Sequence, residues 1–194
     1  MADVPEYSYS IKIPKERVAV LIGKEGEAKK DIEEGTKSSI NIDSKEGDVF
    51  IKGKDTVGLF TAREIIKAVG RGFNPEVAIL LLKQDYCFEL VNIDDYSGKS
   101  KKKLLRLKGR VIGEDGNSRK TIESLTQSYI SVYGRTVGII GKHQNADLAR
   151  KAVEALLSGS KHATIYRLLE RKTKELKMEA IDDELSEEKA GDDI

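Results

Sequence analysis

Leu107-Lys108-Gly109-Arg110-Val111-Ile112-Gly113-Glu114-Asp115-Gly116-Asn117-Ser118-Arg119-Lys120-Thr121-Ile122-Glu123 sets an apolar Val-Ile against a Gly-x-x-Gly turn. A polar, cationic stretch follows, with Ile at helical spacing. The pattern also occurs upstream as Leu21-Ile22-Gly23-Lys24-Glu25-Gly26-Glu27-Ala28-Lys29-Lys30-Asp31-Ile32-Glu33. Gly23 to Gly113 and Ile32 to Ile122 are both separations of 90 residues, so the copies are in register without a gap. One Gly-x-x-Gly is a common turn. Two in matching contexts mark an internal repeat, which has to be recognised before any element is assigned.

Working outward, Tyr7, Tyr9, Ile11 and Ile13 alternate as one face of a half-buried strand. Pro14 suits a first helical position, and a short helix runs to Ile22. After the turn a second short helix carries Ala28 and Ile32 and is expected to close at Gly35. Ser39–Ile42 and Val49–Ile51 read as strands about a turn at Lys45-Glu46-Gly47-Asp48, and Thr56–Val69 as a helix with an apolar face. The downstream half repeats this order: strand Tyr86–Ile93, helix Leu104–Ile112, and a helix capped by Asn117 or Ser118. Strands Tyr129–Tyr133 and Thr136–Ile140 follow, joined through Gly134-Arg135, then a helix Ala146–Leu157. Each unit is β-α-α-β-β-α, and the fold class is α+β. The expected division is residues 1–78, 79–160, a C-terminal helix at 161–181, and an acidic tail at 182–194 whose composition favours disorder. Two segments have no counterpart in this reading: the insertion 94–103, basic at its end, and the C-terminal helix.

The net charge of +1 conceals an asymmetry. Residues 179–194 hold eight carboxylates against Lys189 alone, a net of −7, which leaves +8 for the rest of the chain. A basic body with an acidic tail points toward a polyanionic partner, or toward a tail that competes with one. The lone Cys87 allows no internal disulfide and fits a reducing compartment. No apolar run approaches a membrane span, and the first residues lack a signal-peptide pattern, so a cytoplasmic protein is expected.

Glycines three apart let a backbone approach a ligand closely, and the helix that follows offers free N–H groups and its positive dipole end to a phosphate. Here the chain resembles the KH family, whose Gly-x-x-Gly loop clamps a run of about four single-stranded nucleotides. Both units have the order of the type I form, over residues 7–70 and 86–158. The resemblance implies two three-stranded sheets packed on helices. It makes Gly23-Lys24-Glu25-Gly26 and Gly113-Glu114-Asp115-Gly116 the clamping loops. Ile22, Ile32 and Ile40, with Ile112, Ile122 and Ile130, would line the grooves or build the cores. The run Gly109–Gly113, Thr121-Ile122-Glu123, Val132–Val137, Ile140-Gly141 and Gly159–Tyr166 is similar to the second KH unit of the Dim-two (partner of Nob-one) ribosome-assembly factors. That resemblance implies RNA as partner, near the 3′ end of small-subunit ribosomal RNA, within a pre-ribosomal particle and beside a maturation endonuclease.

The expected RNA-contacting set is Ile22, Gly23, Lys24, Gly26, Lys29 and Lys30 in the first unit. In the second it is Lys108, Arg110, Ile112, Gly113, Glu114, Asp115, Gly116, Asn117, Ser118, Arg119 and Lys120. The acidic pair Glu114-Asp115 opposes phosphate, and cations within a screening length of about 8 Å must offset it. On loop charge alone the first unit is the better RNA site; the resemblance favours the second. A general RNA adaptor in decay or translation initiation, and a KH scaffold that mainly binds protein, are the other readings. No enzyme is expected. In Ser97-Gly98-Lys99-Ser100 the first glycine of a P-loop would fall at Ile93. His143 and His162 lack partners at metal-ligand spacing, so neither metal nor cofactor is expected.

Overall fold

The computed structural model describes residues 7–191. The first unit comprises β1 (Tyr7–Lys12), α1 (Lys15–Ile22), α2 (Glu27–Thr36), β2 (Ser38–Asp43), β3 (Asp48–Gly53) and α3 (Thr56–Gly70). A linker of α4 (Pro75–Ala78) and a 3-10 turn at Ile79–Leu82 leads to the second unit. There β4 (Tyr86–Asn92) and the insertion helix α5 (Asp94–Ser97) precede α6 (Lys101–Ile112), α7 (Asn117–Thr126), β5 (Tyr129–Tyr133), β6 (Thr136–Lys142) and α8 (His143–Leu157). The chain ends in α9 (His162–Gly191). The sheets are antiparallel, ordered β1-β3-β2 and β4-β6-β5, so the α+β reading with two three-stranded sheets on helices holds.

The two sheets use their outer faces differently. In the first, Val49 and Ile51 of the central strand point into the core, Ile51 opposite Ile40, while Phe50 lies exposed between Ser10 and Asn41 and Lys52 between Ser8 and Ser39. In the second, β6 is buried from Thr136 to Gly141. Val137 and Ile139 join the core under α8, whereas Ile140 joins the first unit's core together with Phe88. The period-two alternation therefore serves two cores at once. Phe73, from the linker, is 4% exposed and meets Phe88 edge-on at 6.0 Å. A Cβ on Gly138 would stand 2.7 Å from the Phe73 ring, so this glycine is set by the approach of the two units. Around the contact, Ser131 Oγ donates to the Arg71 carbonyl at 2.9 Å. The Tyr133 hydroxyl donates to the Glu16 carboxylate, a bond that also pushes the phenol up from its ordinary value.

An arginine clasps the closing helix in each unit. Arg17 donates to the Val69 carbonyl at 2.8 Å and the Phe73 carbonyl at 2.6 Å. Arg110 donates to the Leu156 carbonyl at 3.0 Å and the Ser160 carbonyl at 2.5 Å. The accepting carbonyls correspond at a separation of 87 residues, but the arginines do not correspond at 90: one sits a helical turn later than the other. Cationic donors at helix C-termini satisfy carbonyls that have no intrahelical partner.

Several sequence expectations need correction. α6 starts at Lys101, not Leu104, because the Ser100 hydroxyl accepts from the Lys103 N–H. α2 continues through Gly35 to Thr36, with Lys37 in the left-handed conformation closing it. Gly35 is needed for a different reason: a Cβ there would lie 2.6 Å from Leu82 of the linker. The C-terminal helix has a counterpart after all. The linker lies on α2 as α9 lies on α7, with Ala78 and Ile165 buried at a separation of 87 residues. α9 runs on to Gly191, past Ile181 and through most of the segment expected to be disordered. The Glu-, Leu-, Lys- and Ala-rich sequence there suits a helix. Residues 1–6 and 192–194 lie outside the described residues.

Two outcomes test this account. Phe73→Ala should cost about 3–5 kcal/mol in urea unfolding, the range for emptying a buried aromatic site. Arg110→Met should cost about 2 kcal/mol, and Arg110→Lys should restore less than half of it, since an ammonium cannot reach two carbonyls with a planar fork.

Candidate nucleic-acid interface

The two Gly-x-x-Gly loops have the same backbone. Gly23 and Gly113 have φ of 75° and 74°, and Gly26 and Gly116 have φ of 81° and 76°. The two glycines of each loop answer different demands. A Cβ on Gly23 would lie 2.7 Å from the Ala28 Cβ, and one on Gly113 would lie 2.6 Å from the Ser118 Cβ, so the first glycine lets the loop close on the helix behind it. A Cβ on Gly26 would meet nothing within 4 Å, and one on Gly116 only the Lys120 Cε at 3.8 Å. The second glycine is dictated by its positive φ and leaves the backbone uncovered.

Between the glycines, Glu25 and Asp115 also hold positive φ, 53° and 50°. Asp is among the few non-glycine residues that tolerate this conformation, which gives Asp115 a backbone role separate from its charge. Neither loop caps its helix with a side chain. Gly26 and Gly116 are the N-cap residues of α2 and α7, and no side chain accepts from the helix start. This corrects the capping role expected of Asn117 and Ser118. Asn117 is instead the first residue of α7, and Ser118 is buried with its hydroxyl lacking a partner among the described residues. The first N–H of each helix, at Glu27 and Asn117, donates back to the Lys24 and Glu114 carbonyls of the loop, and only the N–H groups that follow it lack a capping side chain.

The isoleucines divide. Ile32, Ile40, Ile122 and Ile130 are buried in the two cores; only Ile22 and Ile112, just ahead of the loops, remain half-exposed and able to serve as a groove floor. A device invisible in the motif fixes the strand beside each groove. Glu33 and Glu123 accept the Ile40 and Ile130 N–H at 2.6 and 2.7 Å. Thr36 and Thr126 bond back to the Ile32 and Ile122 carbonyls and share a hydrogen bond with Ser38 and Ser128. All six residues repeat at 90 and could have been found by extending the comparison beyond the glycines.

Several expected cations have internal duties. Lys29 and Arg119 pair with Glu33 and Glu123 at 3.8 and 3.7 Å, and Arg110 is the clasp described above. Lys120 folds back to the Asp115 carbonyl at 3.4 Å, keeping its ammonium over the loop. Lys24, Lys30 and Lys108 make no ion pair among the described residues.

Charge beyond the loops reverses the preference that the loops alone suggest. Across α1, the first loop and α2, residues 15–36 carry five cations and six carboxylates, a net of −1. Across α6, the second loop and α7, residues 101–126 carry eight cations and three carboxylates, a net of +5. Glu25, Glu27, Asp31 and Glu34 surround Lys24 and Lys30 in the hollow beside the first loop, and Glu76 of the linker adds to the neighbouring one. The acidic pair of the second loop therefore sits in a positive field, and the lysine of the first in a negative one. α9 leaves the loop end of the second unit, where His162 Nε2 lies 2.8 Å from the Arg110 carbonyl, and reaches the far end of α7, where Thr173 donates to the Leu125 carbonyl. From there α9 continues to Gly191. No cluster of metal-ligating side chains occurs among the described residues, and no helix there is long and apolar enough to cross a membrane.

Comparison with known proteins matches this geometry to one family. The family model for the second KH domain of PNO1, a eukaryotic-type (type I) KH domain, matches residues 87–174, and the general KH-domain model matches residues 8–68. A KH domain-containing protein of Methanocaldococcus jannaschii is 48% identical over 171 residues, spanning 86% of this chain and 74% of that protein. The RNA-binding protein pno-1 of Caenorhabditis briggsae is 35% identical over 115 residues, 58% of this chain and 42% of its own length. Among solved structures, Dim2p of Pyrococcus horikoshii is 43% identical with a TM-score of 0.78, covering 85% of this chain and 99% of that one. The complex of a/eIF2α, aDim2p and rRNA from the same organism matches at 42% identity and a TM-score of 0.80, covering 88% and 96%. With both units matched and a relative of such identity covered over most of its length, the chain belongs to the PNO1/Dim2 family of tandem KH-domain ribosome-assembly factors.

Proposed function

We propose that the second unit holds single-stranded RNA from the 3′ region of small-subunit ribosomal RNA during ribosome maturation. The observation that carries this is the net of +5 across α6, the second loop and α7, against −1 for the same elements of the first unit. Phosphates would meet the first turn of α7, which no side chain caps, and the backbone at Gly116, with Lys108 and Lys120 beside them and Ile112 beneath the bases. Affinity would then come from backbone N–H groups and the surrounding cations, which outweigh the exposed Glu114-Asp115 pair. The rRNA-containing complex of the Pyrococcus relative supports RNA of this class as the ligand. The chemistry is binding rather than catalysis, and an assembling small subunit, with its maturation endonuclease, is the setting the family implies. The acid-ringed first loop favours contact with a protein over RNA, and the initiation factor subunit in the same complex is a precedent for such a partner.

The open space at both second glycines allows a matched test. Aspartate tolerates positive φ, so Gly116→Asp and Gly26→Asp place a carboxylate on each loop without a collision. Fluorescence anisotropy with a ten-nucleotide 3′-end oligonucleotide should give at least a tenfold loss for Gly116→Asp and less than twofold for Gly26→Asp, circular dichroism being unchanged. The reverse order would move the site to the first unit. Equal binding of a scrambled oligonucleotide would favour a general RNA adaptor, and no binding would favour a protein scaffold.

A further inference from the structure

α6 presents two cationic flanks, and the groove accounts for one of them. By helical spacing, Lys101, Leu105, Lys108 and Ile112 form the flank that leads into the second loop, while Lys102, Lys103, Arg106 and Arg110 form the opposite one. On that opposite side lies a pocket of 410 Å³ lined by Tyr96, Lys103, Arg106, Leu107, Arg110 and the chain at Leu157–Gly159. Three of its side chains are cations, and no carboxylate lines it. Lys102, Lys103 and Arg106 make no ion pair among the described residues, unlike Arg135, Lys142 and Lys151 elsewhere on the second unit, which pair with Asp94, Asp85 and Asp147.

The equivalent corner of the first unit is the informative contrast. It too holds a pocket, with Lys12, Lys15, Arg63, Lys67 and Arg71 among its lining. There Lys12 and Lys15 pair with Glu46 at 4.0 and 3.5 Å, Lys12 with Asp48 at 3.5 Å, and Lys67 with Glu64 at 3.5 Å. The lysines of that corner are paired with carboxylates while, among the described residues, Arg63 and Arg71 are not, whereas no carboxylate lines the second unit's pocket at all. Its wall also comes from the insertion that the first unit lacks: α5 contributes Tyr96 and is held by Asp94, which accepts from Arg135 at 2.7 Å. Unpaired like charges held close on a short helix repel one another and persist at a cost unless something anionic offsets them.

We propose that this pocket is a second RNA contact, taking backbone phosphates of the ribosomal RNA that lies outside the single-stranded segment in the groove. It rests on the reading of the second unit as the RNA-binding one. The groove and the pocket lie on opposite flanks of α6, so a run of about four clamped nucleotides cannot reach both. A longer RNA would pass around the helix and be gripped on each side. The contact is with phosphate, since the wall offers guanidinium and ammonium donors and one tyrosine, with no arrangement that reads base edges. Arg110 is structural and is left intact in the test.

The test compares two probes on full-length protein carrying Lys102→Gln, Lys103→Gln and Arg106→Gln together. One probe is a 3′-end segment of about four nucleotides that fills only the groove, and the other is the ten-nucleotide 3′-end strand joined to an adjacent hairpin. The triple variant should bind the short probe within threefold of wild type and lose at least tenfold on the long one. Its plot of log affinity against log salt should be shallower by about 2, the value for losing about three phosphate contacts at 0.7–0.9 per contact. An equal loss on both probes would reduce the cations to general attraction, and no loss on either would leave RNA outside this pocket; each overturns the proposal. Gly116→Asp should weaken both probes. If wild type instead ignores the short probe while the triple variant still loses the long one, the groove reading fails and the pocket stands.

Discussion

β6 is the strand on which the rest of the molecule depends, because it is covered on both faces. Val137 and Ile139 face the helices of their own unit, and Gly138 and Ile140 face Phe73, Phe88 and the first unit's core. A three-stranded sheet with helices on one side normally leaves its other face to water, as β1, β3 and β2 do here with Ser10, Asn41, Phe50 and Lys52. Covering the second sheet fixes how the units meet. It also sets the linker in place, since Phe73 must be delivered to the contact while the chain from Pro75 to Leu82 is laid along α2.

Around that arrangement the two units keep the same geometry with different residues. The loop dihedrals agree to within a few degrees, and the Glu-Thr-Ser device behind each groove is retained position for position. The arginine clasp is retained only as a function. Arg17 and Arg110 reach equivalent carbonyls from positions one helical turn apart, which works because successive turns place side chains on the same face. What changed is charge. The first unit surrounds its loop with carboxylates and pairs the lysines of its corner pocket with Glu46, Asp48 and Glu64, while the second concentrates unpaired cations on α6. Duplication supplied two similar backbones, and the surfaces around them carry different charge.

Much was legible in the sequence. Both glycines of each loop, the strand and helix order, the fold class and the family resemblance followed from local periodicity and a 90-residue register, because loop geometry and amphipathic patterns are carried by neighbouring residues. The same local reading put Asn117 and Ser118 in capping positions and ended α2 at Gly35, since Gly and Asn carry similar local signals whether they cap a helix, start one or make room for a neighbour. Four of the six isoleucines assigned to the grooves or the cores proved to be core, a distinction that depends on which face another element covers.

The sequence by itself determined the repeat and the two glycine turns, since a positive φ and a close approach leave few residues to choose from. Only the tertiary structure decided which cations are free. Arg110, Arg119 and Lys29 look as available in the sequence as Lys103 and Arg106, yet the first three are engaged with carbonyls or carboxylates that the fold brings to them. It also decided that the linker and α9 play the same part on α2 and α7, a correspondence that shape preserved while the residues diverged. The charges that select a ligand are long-range sums over elements brought together by folding, and a local pattern cannot contain them.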